Sequence, residues 1–119
     1  MIFILDDDAA VRDSIQVLLE TEGYRTKAFE SVAKFMEGLA GDGPLPACVI
    51  LDVHLPDGDG RMVSAHLKAG RLGVPVILIS GRNDGTLDVD AATAGALAFL
   101  EKPVSHFDLF DAVARAIGR

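Results

Sequence analysis

The sequence predicts an α/β fold, a five-stranded parallel sheet wound on both faces by helices, and three observations carry that reading. Five strand-length apolar segments recur along 119 residues, four of them nearly continuous in Val, Ile, Leu and Phe, as in strands buried on both faces. Segments with helical spacing of apolar residues separate them, most ending at a glycine. The two kinds alternate strictly, which implies right-handed crossovers and a doubly wound sheet.

The elements follow in order. Ile2 to Leu5 is the first strand, and Val11, Ile15, Leu18 and Leu19 form a helical stripe that stops at Gly23. Arg25 to Phe29 is the second strand, followed by a helix through Phe35, Met36 and Leu39 that stops at Gly41. Gly41 to Pro46 reads as a loop within one domain. Cys48 to Val53 is the third strand. The segment Asp57-Gly58-Asp59-Gly60 suggests a calcium loop only superficially, because Lys68 stands where the twelfth-position Glu belongs; a turn with an acidic helix start is the better reading. Met62 and Leu67 mark the third helix, before Gly70 and Gly73, and Val76 to Ile79 is the fourth strand. A weaker helix spans about Thr86 to Ala94, opened by Asn83-Asp84-Gly85, carrying Asp88 and Asp90 and followed by Gly95, so its propensity is marginal. Leu97 to Leu100 is the fifth strand. Phe107, Phe110, Val113, Ala114 and Ile117 place one apolar stripe on a final helix.

Composition narrows the function. Half of the residues are hydrophobic and the net charge is −7, the wrong sign for neutralising a nucleic-acid backbone or an anionic membrane. No segment approaches the ~20 apolar residues of a membrane helix, and no signal-peptide pattern opens the chain, so a cytoplasmic location is expected. Cys48 is the sole cysteine, which leaves no internal disulfide and no thiolate cluster. It reads as a small buried hydrophobe. His54, His66 and His106 lack metal-ligand spacing, and their side chains read as surface.

Open α/β sheets gather their reactive groups at the carboxyl ends of the strands. Asp6, Asp7 and Asp8 follow the first strand, Asp52 lies near the end of the third, Ser80 ends the fourth and Lys102 follows the fifth. Carboxylates converging on one rim oppose each other's ionisation unless a cation balances them. A hard divalent ion that prefers oxygen, shares its shell with phosphate and keeps several waters fits best, which describes magnesium. The bland reading of Asp6 to Asp8 is a helix cap, and Ser80 reads equally as one.

The set Leu5-Asp6-Asp7-Asp8, Ile50-Leu51-Asp52-Val53-His54-Leu55-Pro56, Val76-Ile77-Leu78-Ile79-Ser80-Gly81 and Phe99-Leu100-Glu101-Lys102-Pro103 resembles the receiver domain of two-component response regulators, over nearly the whole of residues 1–119. The segments Asp6 to Tyr24 and Leu97 to Val104 are most similar to receivers of helix-turn-helix transcription regulators of the nitrogen-fixation type, which suggests an excised or a stand-alone domain. The resemblance implies a flavodoxin-like receiver fold with strand order 2-1-3-4-5. It implies that Asp52 accepts a phosphoryl group from a sensor histidine kinase or phosphotransfer protein, forming an aspartyl phosphate with Mg2+ as cofactor. Asp7 and Asp52 would bind the metal directly, Asp6 through water, and His54 through its backbone carbonyl. Lys102 and Ser80 would contact the phosphoryl oxygens. Ser80, Phe99 and Pro103 match the switch positions, Phe99 as the aromatic and Pro103 as the family's cis-proline, although the sequence leaves the isomer open and Phe99 is equally readable as core. The helix after Ser80, the fifth strand and the last helix form the face that answers phosphorylation, by homodimerisation or by binding an output partner. Neither direct nucleic-acid binding nor a membrane contact is expected of this domain.

Two other readings are weighed. A phosphatase of the haloacid-dehalogenase type would use Asp6 as nucleophile, with Asp8, Ser80 and Lys102 in supporting places. The missing cap and the lack of Thr or Val two residues past Asp8 count against it. A receiver-like module used only for docking would not need Asp6, Asp7, Asp52, Ser80 and Lys102 together.

Overall fold

The sheet puts its most apolar segments in the middle. In the computed structural model, which describes residues 1–41, 43–69, 73–81 and 95–118, strands β1 (Ile2–Leu5), β2 (Thr26–Phe29), β3 (Cys48–Asp52), β6 (Val76–Ser80) and β7 (Ala98–Glu101) form one parallel sheet in the order β2-β1-β3-β6-β7. Counted along this sheet alone, that is 2-1-3-4-5. The three central strands are buried at every position, whereas the edge strand β2 alternates and leaves Lys27 in solvent. Continuous apolar runs are thus confined to strands with a helix over each face. The strands match the sequence reading to within a residue at each end: Arg25, Val53 and Leu97 lie just outside, and Ser80 and Glu101 inside.

Alternate residues along each strand feed opposite layers. Phe3, Leu5, Val49, Leu51, Val76 and Leu78 pack with Phe35 of helix α2 (Val32–Ala40) and with Val63 and Leu67 of α3 (Gly60–Ala69). Phe3, Phe29 and Phe35 meet there edge to face, with ring centroids 5.1 to 6.2 Å apart. Ile2, Ile4, Cys48, Ile50, Ile77 and Ile79 pack on the other face with Ile15 and Leu19 of α1 (Ala9–Thr21) and Leu109, Ala112 and Val113 of α4 (His106–Ile117). Truncating the fully buried Ile50 to Ala would cost about 2 to 5 kcal/mol.

The helices start and stop on local chemistry. Asp8 caps α1 by accepting from the Ala10 and Val11 amides at 2.9 and 3.4 Å, and Gly23, at φ +89°, ends the turn that follows it. Ser31 and Ser105 cap α2 and α4 by accepting from the Lys34 and Asp108 amides. The helix expected over Thr86 to Ala94 lies outside the described residues. The segment after Asp52 keeps the expected turn and acidic helix start, with Asp59 accepting from the Arg61 amide at 2.8 Å, and adds a short antiparallel hairpin in which His54–Leu55 (β4) pairs with Gly58–Asp59 (β5) before α3 begins at Gly60. No helix among the described residues is long and apolar enough to cross a membrane.

Candidate functional site

Because all five strands run parallel, their carboxyl ends share one rim, and the residues there arrive from separate strands. Asp6 follows β1, Asp52 ends β3, Ser80 ends β6 and Lys102 follows β7. Registers Leu5↔Leu51 and Asp52↔Ile79 bring the first three level, and the Lys102 amide donates to the Ser80 carbonyl at 2.8 Å.

The charges converge tightly. Lys102 Nζ lies 2.9 Å from Asp6 Oδ2 and 3.2 Å from Asp52 Oδ2. Asp6 is 0% exposed and Asp52 3%, so both carboxylates are withdrawn from water, while Asp7 beside them is exposed. Among the described residues, Asp6, Asp7 and Asp52 each place a carboxylate oxygen within 4.8 Å of the others. Asp6 Oδ1 accepts from the Asp8 amide at 2.9 Å, and the Arg12 guanidinium holds the Asp6 carbonyl at 2.6 Å. Among the described residues, the fully buried Asp6 Oδ2 has no well-aligned hydrogen-bond donor and faces the Lys102 ammonium at 2.9 Å.

Electrostatics follow from this crowding. Burial, and then the neighbouring Asp6 charge, push the Asp52 carboxyl above its usual range against the opposing pull of the His54 amide and Lys102. Burial pulls the Lys102 ammonium down, but its contacts with Asp6 and Asp52 outweigh that and hold it above its ordinary value. Among the described residues, the Lys102 ammonium is shared between Asp6 and Asp52, with the Asp7 carboxylate beside them. A hard, oxygen-seeking cation fits this donor set, and Asp6, Asp7 and Asp52 are the side chains able to hold it.

The remaining expected residues fall as follows. The His54 side chain is exposed and its amide donates to Asp52 Oδ1 at 3.2 Å. Ser80 is fully buried at the rim. Phe99 is half-buried and packs on the α2/α3 side of the sheet, two positions short of the Ser80↔Glu101 pair. The Lys102–Pro103 bond is cis. The helix-cap reading of the acidic triplet holds for Asp8 and not for Asp6, whose side chain faces the rim.

Two residues were not legible as part of this region. Asp57, at the tip of the hairpin, accepts from the Val32 and Ala33 amides at 3.0 and 3.2 Å and so ties the loop after Asp52 to the start of α2. Those two amides hold its carboxyl below the usual range. Gly60 lies against the Asp52–Val53 backbone, and its amide donates to the Val53 carbonyl at 2.9 Å. A glycine after an acidic turn was the signal, though nothing in the sequence says what it touches.

Residues 2–114 match the model of the response regulator receiver domain. The chain belongs to that family. The receiver domain is 37% identical over 102 residues to the transcriptional regulatory protein FixJ of Bradyrhizobium diazoefficiens, covering 86% of this chain and 49% of that protein. It thus spans about half the length of that relative. Among solved structures, a CheY-like receiver domain from Methanospirillum hungatei superposes with TM-score 0.87 at 27% identity, covering 98% of this receiver and 92% of that chain. The beryllofluoride-activated NtrC4 receiver domain dimer matches with TM-score 0.87 and 28% identity, covering 98% and 95%. This chain is therefore a receiver domain of two-component signal transduction, a signalling switch, and the phosphatase reading with Asp6 as nucleophile gives way to it.

Proposed function

We propose that this receiver accepts a phosphoryl group on Asp52 from a sensor histidine kinase or phosphotransfer protein, and that the phosphorylated form binds a second copy of itself or an output partner. The observation that carries the reading is the meeting of Asp6, Asp7, Asp52 and Lys102 on one rim, where the buried Asp6 and Asp52 carboxylates share the Lys102 ammonium. In the transfer, a carboxylate oxygen of Asp52 forms a bond to phosphorus as the phosphorus–nitrogen bond of a phosphohistidine breaks and the imidazole leaves with the electron pair. The transition state is loose and spreads charge over three equatorial oxygens, so positioning and cations supply most of the catalysis. Lys102 exchanges its contact with Asp52 Oδ2 for one phosphoryl oxygen, and the Ser80 hydroxyl donates to another. Magnesium, held by Asp7 and Asp52, by the His54 carbonyl and through water by Asp6, would supply positive charge to the remaining oxygen.

The response passes from Ser80 toward Phe99 and the face to which β7 and α4 contribute. The likeness to FixJ supports a transcriptional output through a separate domain, and the NtrC4 dimer supports self-association as the signal. The −7 charge argues against nucleic-acid contact by the receiver itself, which works in the cytoplasm in this reading. The test is intact-mass spectrometry after incubation with acetyl phosphate and magnesium. Wild type gains one phosphoryl group and Asp52→Asn gains none. An adduct that survives Asp52→Asn but disappears in Asp6→Asn would restore the phosphatase reading, and no adduct in wild type with any donor would leave a docking module.

A further inference from the structure

We propose that Gly60 is a positioning residue of the site: its bare α-carbon lets the start of α3 close onto the Asp52–Val53 peptide, and that closure sets where the Asp52 carboxylate and the His54 carbonyl stand. A Cβ built at Gly60 would lie 2.2 Å from the Asp52 carbonyl oxygen, 2.9 Å from its carbonyl carbon and 3.1 Å from the Val53 Cα. All three are backbone atoms, so no side chain can swing aside to make room. The Asp52 peptide has little freedom to retreat either. The Val53 amide on its far side donates to the Ile79 carbonyl at 2.9 Å, and the Val53 carbonyl receives the Gly60 amide at 2.9 Å. The His54 amide, next along, donates to Asp52 Oδ1 at 3.2 Å. Any methyl at position 60 must therefore either move the main chain that carries the phosphoacceptor and the carbonyl expected in the metal shell, or push the start of α3 away and break the Gly60–Val53 bond that braces that chain.

The inference rests on the phosphoacceptor reading above and adds to it the residue that shapes the metal seat. Groups that hold metal-binding atoms in place without touching the metal typically change affinity ~10 to 100-fold when lost. Gly60→Ala is thus expected to weaken Mg2+ binding about tenfold or more, read from the Asp7 and His54 amide shifts in an NMR titration with magnesium chloride. Gly23→Ala serves as the control. Gly23 has φ +89° and open space around it, so the substitution strains the backbone at the opposite end of the sheet, lowering the melting temperature while leaving the magnesium affinity as in wild type. Wild-type affinity in Gly60→Ala would overturn the assignment, as would an equal loss in Gly23→Ala.

A second measurement needs no variant and covers the case in which Gly60→Ala does not fold. Linkage is reciprocal, so if the Gly60 closure shapes the metal seat, bound magnesium must stabilise that closure. In wild type, hydrogen exchange at the Gly60 amide should slow on adding Mg2+ by as much as at the Val49 amide in the sheet centre, which reports global opening, because an opening that dismantles the metal seat releases the ion as completely as unfolding does. Slowing at Val49 with none at Gly60 would overturn the proposal. If wild type neither binds Mg2+ nor is phosphorylated, the phosphoacceptor reading itself fails; if it does both and Gly60→Ala matches it, only the role of Gly60 fails.

Discussion

Two sets of aspartates sit near the same rim of the sheet and are treated in opposite ways. Asp8 and Asp57 are exposed, and each receives two backbone amides at the start of a helix. Asp6 and Asp52 are buried and share one lysine, and Asp6 Oδ2 has no well-aligned donor among the described residues. The first set satisfies local backbone groups; the second is left short of positive charge. A carboxylate that stabilises the fold and one that awaits a ligand can be told apart by their donors.

The largest expected break of this contrast comes from removing Asp52, the proposed nucleophile. Asp52→Asn should abolish phosphorylation entirely, whereas Asp8→Ala should leave it nearly intact and cost about 1 kcal/mol of stability through the lost cap, both measurable by mass spectrometry and thermal melting. Next in size is Lys102→Ala, which should fold yet be phosphorylated about a hundredfold more slowly or fail to couple phosphorylation to dimerisation, since a preorganised charge on the transferring group is worth that order. Size-exclusion chromatography with acetyl phosphate checks the coupling. Magnesium should raise the melting temperature of wild type, by the equivalent of about 2.7 kcal/mol at a hundred times its dissociation constant, and a chelator should reverse the shift.

A smaller effect runs against ordinary intuition. Burial and Asp6 raise the Asp52 carboxyl, so its ionised form costs stability above its folded pKa. Asp52→Asn should therefore melt a few degrees above wild type, about 2 to 5 °C, without metal at neutral pH. The gap should narrow as the pH falls toward the ordinary carboxylate value of ~3.9. Asp57 has the opposite sign. Its carboxyl is held low by two amides, so its stabilisation is present above ~3.9 and is lost as the pH falls through its lowered folded value. Melting curves of wild type and Asp57→Asn should differ slightly at neutral pH and converge in acid.

Much of this was legible in the sequence because it is written in neighbouring residues. The central strands announce themselves as unbroken apolar runs, and a polar residue next to such a run lies at the strand end; the rim positions of Asp6, Asp52, Ser80 and Lys102 followed from that, and their expected roles from the resemblance. The resemblance had set Asp6 and Asp7 apart from Asp8, and the structure supplies the physical difference: the Asp8 side chain turns to the helix start and that of Asp6 to the rim. What stayed hidden depends on contacts between distant segments. Asp57 caps a helix that begins 25 positions earlier in the chain, and no local pattern records such a pairing. The β4–β5 hairpin is two residues per strand and lacks the alternating apolar pattern that marks a longer one. Gly60 reads as a turn residue, while its part in the structure comes from the backbone pressed against it.

The buried position of Cys48 turns the molecule into its own reporter. It is the sole cysteine, lies fully covered on the central strand β3, and its thiol is pushed up to about 12 by burial. In the native state it offers neither access nor thiolate to an alkylating reagent. The labelling rate of unmodified protein therefore counts the moments at which the whole sheet comes apart. Any ion, phosphodonor or partner that holds the native state together will slow that clock, with no dye or tag attached.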